Sequence, residues 1–125
     1  PLLKRPDGTA IRFFPAHPHE GAVGAPSDEP SASVIAYGKS KVSGSAFNLV
    51  VAFEPKKDET GNELGRAAVH SSFHHFADYN WDPEFGCPDF VTEAPGDGYA
   101  SDPAALNDIK TYVGNLALWL APNQK

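Results

Sequence analysis

All five histidines of the chain fall in two short windows, and imidazole is the side chain best suited to acid–base chemistry near neutral pH. The first window is His17-Pro18-His19-Glu20, and the second contains His70, His74 and His75. Imidazole is also the commonest side-chain metal ligand. The two windows therefore predict where chemistry would take place without identifying the reaction.

The first window follows a strand predicted over residues 11–14, which Pro15 ends. On an extended backbone, residues two apart point to the same side, so His17 and His19 can face one ligand. Glu20 could complete that site or act as a base. The alternative interpretation is a loop whose histidine rings are simply exposed to solvent.

The second window follows a strand predicted over residues 66–70. If residues 70–75 were helical, His70 and His74 would share one face; if His70 ends the strand, His74 is the better candidate to face a site. Ligand sites in open α/β sheets lie at the carboxyl ends of strands, so the two windows are predicted to meet there. The alternative is a histidine packed among Phe73 and Phe76.

Other nucleophiles give weaker signals. Cys87 is followed by Pro88, and a half-buried loop thiol is the favoured interpretation. Ser71 and Ser72 lie near His74, as in a Ser–His pair, but the glycines of a G-x-S-x-G turn are missing, and capping of a short helix is favoured instead. The sequence contains neither HExxH nor paired CxxC, so the metal signal rests on the histidines alone.

The elements that must position these residues indicate an α/β fold. Strands are predicted over residues 33–37 and 47–53, and the nearly continuous apolar character of the second predicts burial on both faces. Residues 55–65 are charged and indicate an exposed loop. Asp102 and Pro103 fit the N-cap and first position of a long C-terminal helix. Its predicted apolar face consists of Leu106, Ile109, Val113, Leu116, Ala117 and Leu120.

Length and composition limit the function. A chain of 125 residues forms at most one domain, and a net charge of −6 argues against nucleic-acid binding. No apolar run approaches the roughly 20 residues that span a membrane, so a soluble protein, cytoplasmic or exported, is expected. The single cysteine excludes an intrachain disulfide, and the absence of methionine leads us to expect a processed product or a fragment.

Three features resemble the carboxyl-terminal half of ThuA-like proteins, which belong to the class I glutamine-amidotransferase-like group. Residues 65–74 resemble the family's Gly-Arg-Val strand and place His74 on the family's histidine, eight residues beyond Arg66. Residues 107–121 are similar to its closing apolar Trp helix. The first window stands where the family has an Asp-Glu loop, and only Glu20 carries over. Phe73 replaces a family glycine, and the amidotransferase Cys-His-Glu triad is not visible.

The resemblance implies a partial flavodoxin-like layered sheet with a long C-terminal helix, and a link to the metabolism of oxidised sugars. Residues 1–125 would then be a single domain, a piece of a ThuA-like domain acting on a carbohydrate-type ligand. His74 would be an acid/base, with Glu20 and His19 opposite. A divalent metal such as zinc, suggested for some family members, would be held by His17, His19 and His74.

A second hypothesis is a non-catalytic binding or assembly module with a degenerate amidotransferase-like fold. The loop over residues 78–101, with Tyr79, Trp81 and Tyr99 among several aspartates, would be its contact surface. The resemblance covers no amino-terminal strands of the family's fold. An exposed sheet edge would then predict a homodimer or a second chain that completes the sheet.

Overall fold

The computed structural model describes residues 1–14, 21–76, 81–82, 85, 89 and 98–121. The chain divides into two compact units. The first consists of residues 1–18 and 73–119, and the second of residues 19–72 and 120–125. The fold is mixed α/β, as the sequence predicts. In the part of the chain described, no helix is long and apolar enough to cross a membrane.

The second unit holds the strands. These are β1 (Ala32–Lys39), β2 (Ala46–Phe53), β3 (Lys56–Lys57), β4 (Glu63–Leu64) and β5 (Ala67–His70). The main sheet has the order β1-β2-β5 and is antiparallel throughout. The three strands predicted there are confirmed. Residues 49–52 of β2 are all buried, which confirms burial on both faces of this central strand.

Residues 55–65 are mostly exposed, as predicted, but they are not a plain loop, because they contain the antiparallel hairpin β3–β4. Its turn is stabilised by Asp58, whose carboxylate accepts hydrogen bonds from the backbone of Thr60 and Asn62. The side chain of Thr60 also donates to that carboxylate, and these bonds lower the pKa of Asp58 from 3.8 to about 2. Gly61 adopts a φ of 88°, which side chains disfavour. Local polar bonding therefore forms the hairpin with little burial.

The first unit begins with a short hairpin in which Lys4 and Ala10 form an isolated antiparallel bridge. The strand predicted over residues 11–14 is wrong. The amide of Ile11 donates to the carbonyl of Leu3 at 3.0 Å, so the segment closes back on the chain start instead of joining a ladder. Ile11 is buried, but Phe13 two residues further on is 84% exposed, so the alternation of buried and exposed side chains typical of a strand is missing.

Two helices follow, α1 (Gly98–Ser101) and α2 (Pro103–Leu120). The predicted cap is confirmed, because the Asp102 carboxylate accepts a hydrogen bond from the Ala104 amide at 3.1 Å. The predicted apolar face is partly wrong: Ala117 and Leu120 are exposed. The buried residues of this helix are Asp108, Ile109, Tyr112, Leu116 and Trp119.

Two polar residues of α2 hold the first residues of the chain, and we call them the N-terminal clasp. Both oxygens of the buried Asp108 carboxylate accept hydrogen bonds from the guanidinium of Arg5, each at 2.7 Å. Two helical turns further along, the side-chain amide of Asn115 donates to the carbonyls of Leu2 and Lys4 at 3.0 and 2.8 Å. The clasp satisfies backbone carbonyls that no ladder pairs.

Candidate functional site

The structure places His74 at the start of a short 3-10 helix, His74–Phe76, which follows β5. The strand ends at His70, so residues 70–75 do not form one helix. The amide of Phe76 closes the turn by donating to the carbonyl of Phe73 at 2.9 Å. His74 and His75 thus both follow the strand in a turn, and the strand ends at His70, which is the condition of the second sequence alternative.

The His74 ring is half-buried and stacks on the ring of Phe73, with centroids 4.6 Å apart and planes 24° from parallel. Phe73 is 61% exposed. His74 therefore packs against Phe73, as in the alternative interpretation, but Phe73 lies at the surface and not in the core. The pair instead offers solvent an apolar ring next to a group that can give or accept a proton.

His75 lies in the interior, with only 3% of its surface exposed. Its ring contacts Phe14 at a centroid distance of 5.5 Å, and Phe14 contacts Tyr112 at 5.2 Å. Burial raises the pKa of Tyr112 well above its ordinary value. We call Phe14, His75, Trp81 and Tyr112 the aromatic cluster. Two consecutive histidines thus have different surroundings, which supports His74 as the candidate for chemistry and His75 as a packing residue.

Trp81 is linked to the aromatic cluster by a hydrogen bond to the backbone of His75. Its indole N–H donates to the carbonyl of His75 at 2.9 Å, which fixes the orientation of the half-buried ring. The ammonium of the exposed Lys110 lies 5.9 Å from the centroid of the same ring, at the outer limit of a cation–π contact. Sequence reasoning missed Lys110. One signal was available: no acidic residue lies three or four places from it on the helix.

His70 has a structural setting in the second unit. It is the last residue of β5 and lies opposite Val50 of β2. Burial lowers the pKa of His70 below its ordinary value of 6.5, so the neutral ring is favoured. The amide of Ser71 donates to the carbonyl of Leu49 at 2.9 Å and so continues the ladder by one hydrogen bond. The backbone of Ser71 thus belongs to the sheet edge.

The first histidine window lies outside the described residues. His17, His19 and Glu20 all fall there, as does Cys87. Of the predicted catalytic residues His74, Glu20 and His19, the structure therefore places His74. The reason for their convergence, that both windows follow strands of one sheet, is wrong because residues 11–14 form no strand, and the convergence itself stays a prediction.

The structure likewise describes only part of the predicted metal site. His74 is the one member of the set His17, His19 and His74 that the structure places, and zinc sites use three or four protein ligands. Within the described ranges, no group of three or more histidine, cysteine, aspartate or glutamate side chains could hold a metal ion. The described residues alone therefore do not form a metal centre.

The chain was compared with family models, with curated proteins and with solved structures, and none of the three comparisons finds a match. The ThuA-like resemblance consequently rests on its three short motifs. The function is therefore inferred from the chemistry of His74 and its neighbours.

Proposed function

We propose that this chain binds a carbohydrate-type small molecule at the Phe73–His74 pair and acts on it with His74 as a proton donor or acceptor. The observation that carries the proposal is the stacking of the half-buried His74 ring on the 61% exposed ring of Phe73. An exposed aromatic face removes the apolar C–H face of a sugar from water, and an adjacent imidazole supplies the polar partner.

The setting of the pair supports a preformed site. The residues after Phe73 form a hydrogen-bonded turn, and the next side chain, His75, is buried in the aromatic cluster. A ring held by such neighbours loses less conformational freedom when a ligand binds. An isolated histidine on an exposed loop would lack this advantage.

The family resemblance extends the proposal to residues outside the described part of the chain. Glu20 and His19 would act together with His74, and a divalent metal such as zinc would bind His17, His19 and His74. A second copy or a second chain would complete the sheet. Metal analysis of the purified protein, with His74→Ala and His19→Ala as comparisons, tests whether these residues bind a metal ion. A monodisperse monomer in scattering measurements would contradict the proposal that a second chain completes the sheet.

The binding experiment compares two exposed phenylalanines of the same unit. Phe73→Ala should weaken binding of methyl glycosides and oxidised sugars about five- to tenfold, the worth of one aromatic contact. Phe13→Ala, at an 84% exposed ring, should leave it unchanged. Calorimetric titration measures both, and circular dichroism checks folding. Equal affinities for the two variants would contradict the proposal.

Catalysis by His74 needs a readout of its own. His74→Gln keeps hydrogen-bonding atoms but has no ring nitrogen to give or accept a proton, so conversion of an oxidised sugar should be lost while binding persists. Product formation is followed by proton NMR. Binding without conversion by the unmodified chain would instead identify the non-catalytic module.

A further inference from the structure

The pairing of Trp81 with Lys110 carries a further inference about the ligand. The Trp81 ring is held on one edge by its bond to the His75 carbonyl, and the Lys110 ammonium lies near its centroid at 5.9 Å. Trp81 is half-buried and Lys110 is exposed, so both remain accessible to a small molecule. All three residues belong to the first unit.

The geometry leaves the Lys110 ammonium available for an anion. At 5.9 Å the cation–π attraction is at the end of its range, and an exposed ammonium stays hydrated. Lys110 can therefore turn toward a carboxylate or sulfate group at little cost. The fixed Trp81 ring would at the same time cover the C–H face of a sugar, as tryptophan does with other flat apolar surfaces.

The net charge of the chain gives this lysine a role in binding an acidic ligand. The net charge of −6 repels anions at long range, so an anionic sugar needs a local cation at the point where it binds. A neutral sugar would need only the ring. A lysine beside a fixed tryptophan therefore favours an anionic sugar over a neutral one.

We propose that Trp81 and Lys110 form a subsite for an anionic sugar, whose acidic group pairs with the Lys110 ammonium while its ring stacks on Trp81. The inference rests on the proposed function, because the same ligand would reach the Phe73–His74 pair. The connection runs through the backbone of His75, which follows His74 and accepts the hydrogen bond of Trp81.

The test uses the whole chain and three probes: methyl glucuronide, methyl glucoside and glucose 6-sulfate. Binding is followed by the indole N–H signals in NMR, where buried Trp119 serves as an internal reference. We expect the two acidic probes to bind at least about tenfold more tightly than the glucoside, with a shift of the Trp81 signal. A preference for one acidic probe distinguishes carboxylate from sulfate. Added salt should reduce the advantage of both.

Two lysine variants decide between this subsite and general electrostatics. Lys110→Met should reduce the affinity for the acidic probes to that for the glucoside. Lys57→Met, which removes an exposed lysine of the second unit, should not. Equal binding of acidic and neutral probes by the unmodified chain, or a preference that survives Lys110→Met, would overturn the subsite.

The same titrations separate the failure of this inference from that of the proposed function. Binding of the glucoside that depends on Phe73 but shows no acidic preference would refute the subsite and leave the Phe73–His74 proposal standing. Binding of glucuronide that depends on Lys110 but not on Phe73 or His74 would support the subsite and refute that proposal. Failure of every probe to bind would refute both.

Discussion

Alanine at position 38 should destabilise the second unit, because the Phe47 ring lies over Gly38 on the neighbouring strand. The two residues are direct partners in the β1–β2 register. A Cβ atom at Gly38 would lie 2.2 Å from Cζ of Phe47 and 2.5 Å from Cε2, where ordinary contacts begin near 3.4 Å. The ring would have to retreat by more than 1 Å.

The size of the effect follows from two opposing contributions. Forcing a ring from its packed position costs about 1–3 kcal/mol, and Phe47 is only half-buried, which favours the lower half of that range. Replacing glycine by alanine in a strand returns about 0.5–1 kcal/mol of chain entropy. Gly38→Ala should therefore lower the free energy of unfolding by about 1 kcal/mol.

A double-mutant cycle provides the assay. In a Phe47→Ala background the obstacle is gone, so Gly38→Ala should stabilise by about 0.5 kcal/mol, and the sign of the effect reverses. Urea unfolding followed by circular dichroism measures all four variants, with an unchanged m-value as the check on two-state behaviour. Gly24→Ala, where an added Cβ meets nothing within 4 Å, is the matched control. An equal effect of Gly38→Ala in both backgrounds would refute the reasoning.

Two further predictions concern ion pairs. Lys56 and Ser31 lower the pKa of Glu29 from 4.5 to about 2. Its contribution to stability is therefore complete above pH 4.5 and lost as pH falls toward 2, and Glu29→Gln should flatten that acid loss in urea midpoints while Glu59→Gln does not. In the N-terminal clasp, Arg5→Met leaves a buried carboxylate unpaired, whereas Asp108→Asn leaves a half-exposed guanidinium. The urea midpoint should fall further for Arg5→Met; the reverse order would contradict this account.

Local patterns predict the elements whose stability is mostly local or whose burial is complete. Residues 46–53 form a central strand, and their apolar run is enough to predict it. Asp102 caps the start of α2 by accepting a hydrogen bond from the amide of Ala104, only two residues away. The turn at Asp7 and Gly8 is held by equally local contacts, since the Asp7 carboxylate accepts from Thr9 and Gly8 adopts a positive φ of 84°.

Features that depend on distant partners could not be predicted. The segment 11–14 carries a strand pattern, but its conformation depends on the hydrogen bond from Ile11 to Leu3, which that pattern does not reveal. The buried face of α2 includes the polar Asp108, which pairs with Arg5 at a separation of 103 positions. In the candidate site, His74 follows from its place after a strand, whereas Lys110 meets Trp81 across 29 positions of sequence that no local pattern connects.

The N-terminal clasp has a consequence for the order in which the chain folds during synthesis. The carbonyl of Leu2 and the amide of Asn115 are 113 positions apart, so the first residues leave the ribosome long before the helix that holds them. At about 5–20 residues per second, the wait is roughly 5–20 s. The first unit can therefore complete its fold only after α2 emerges. The strands of the second unit, which lie between residues 19 and 72, have all the residues they need to pair earlier.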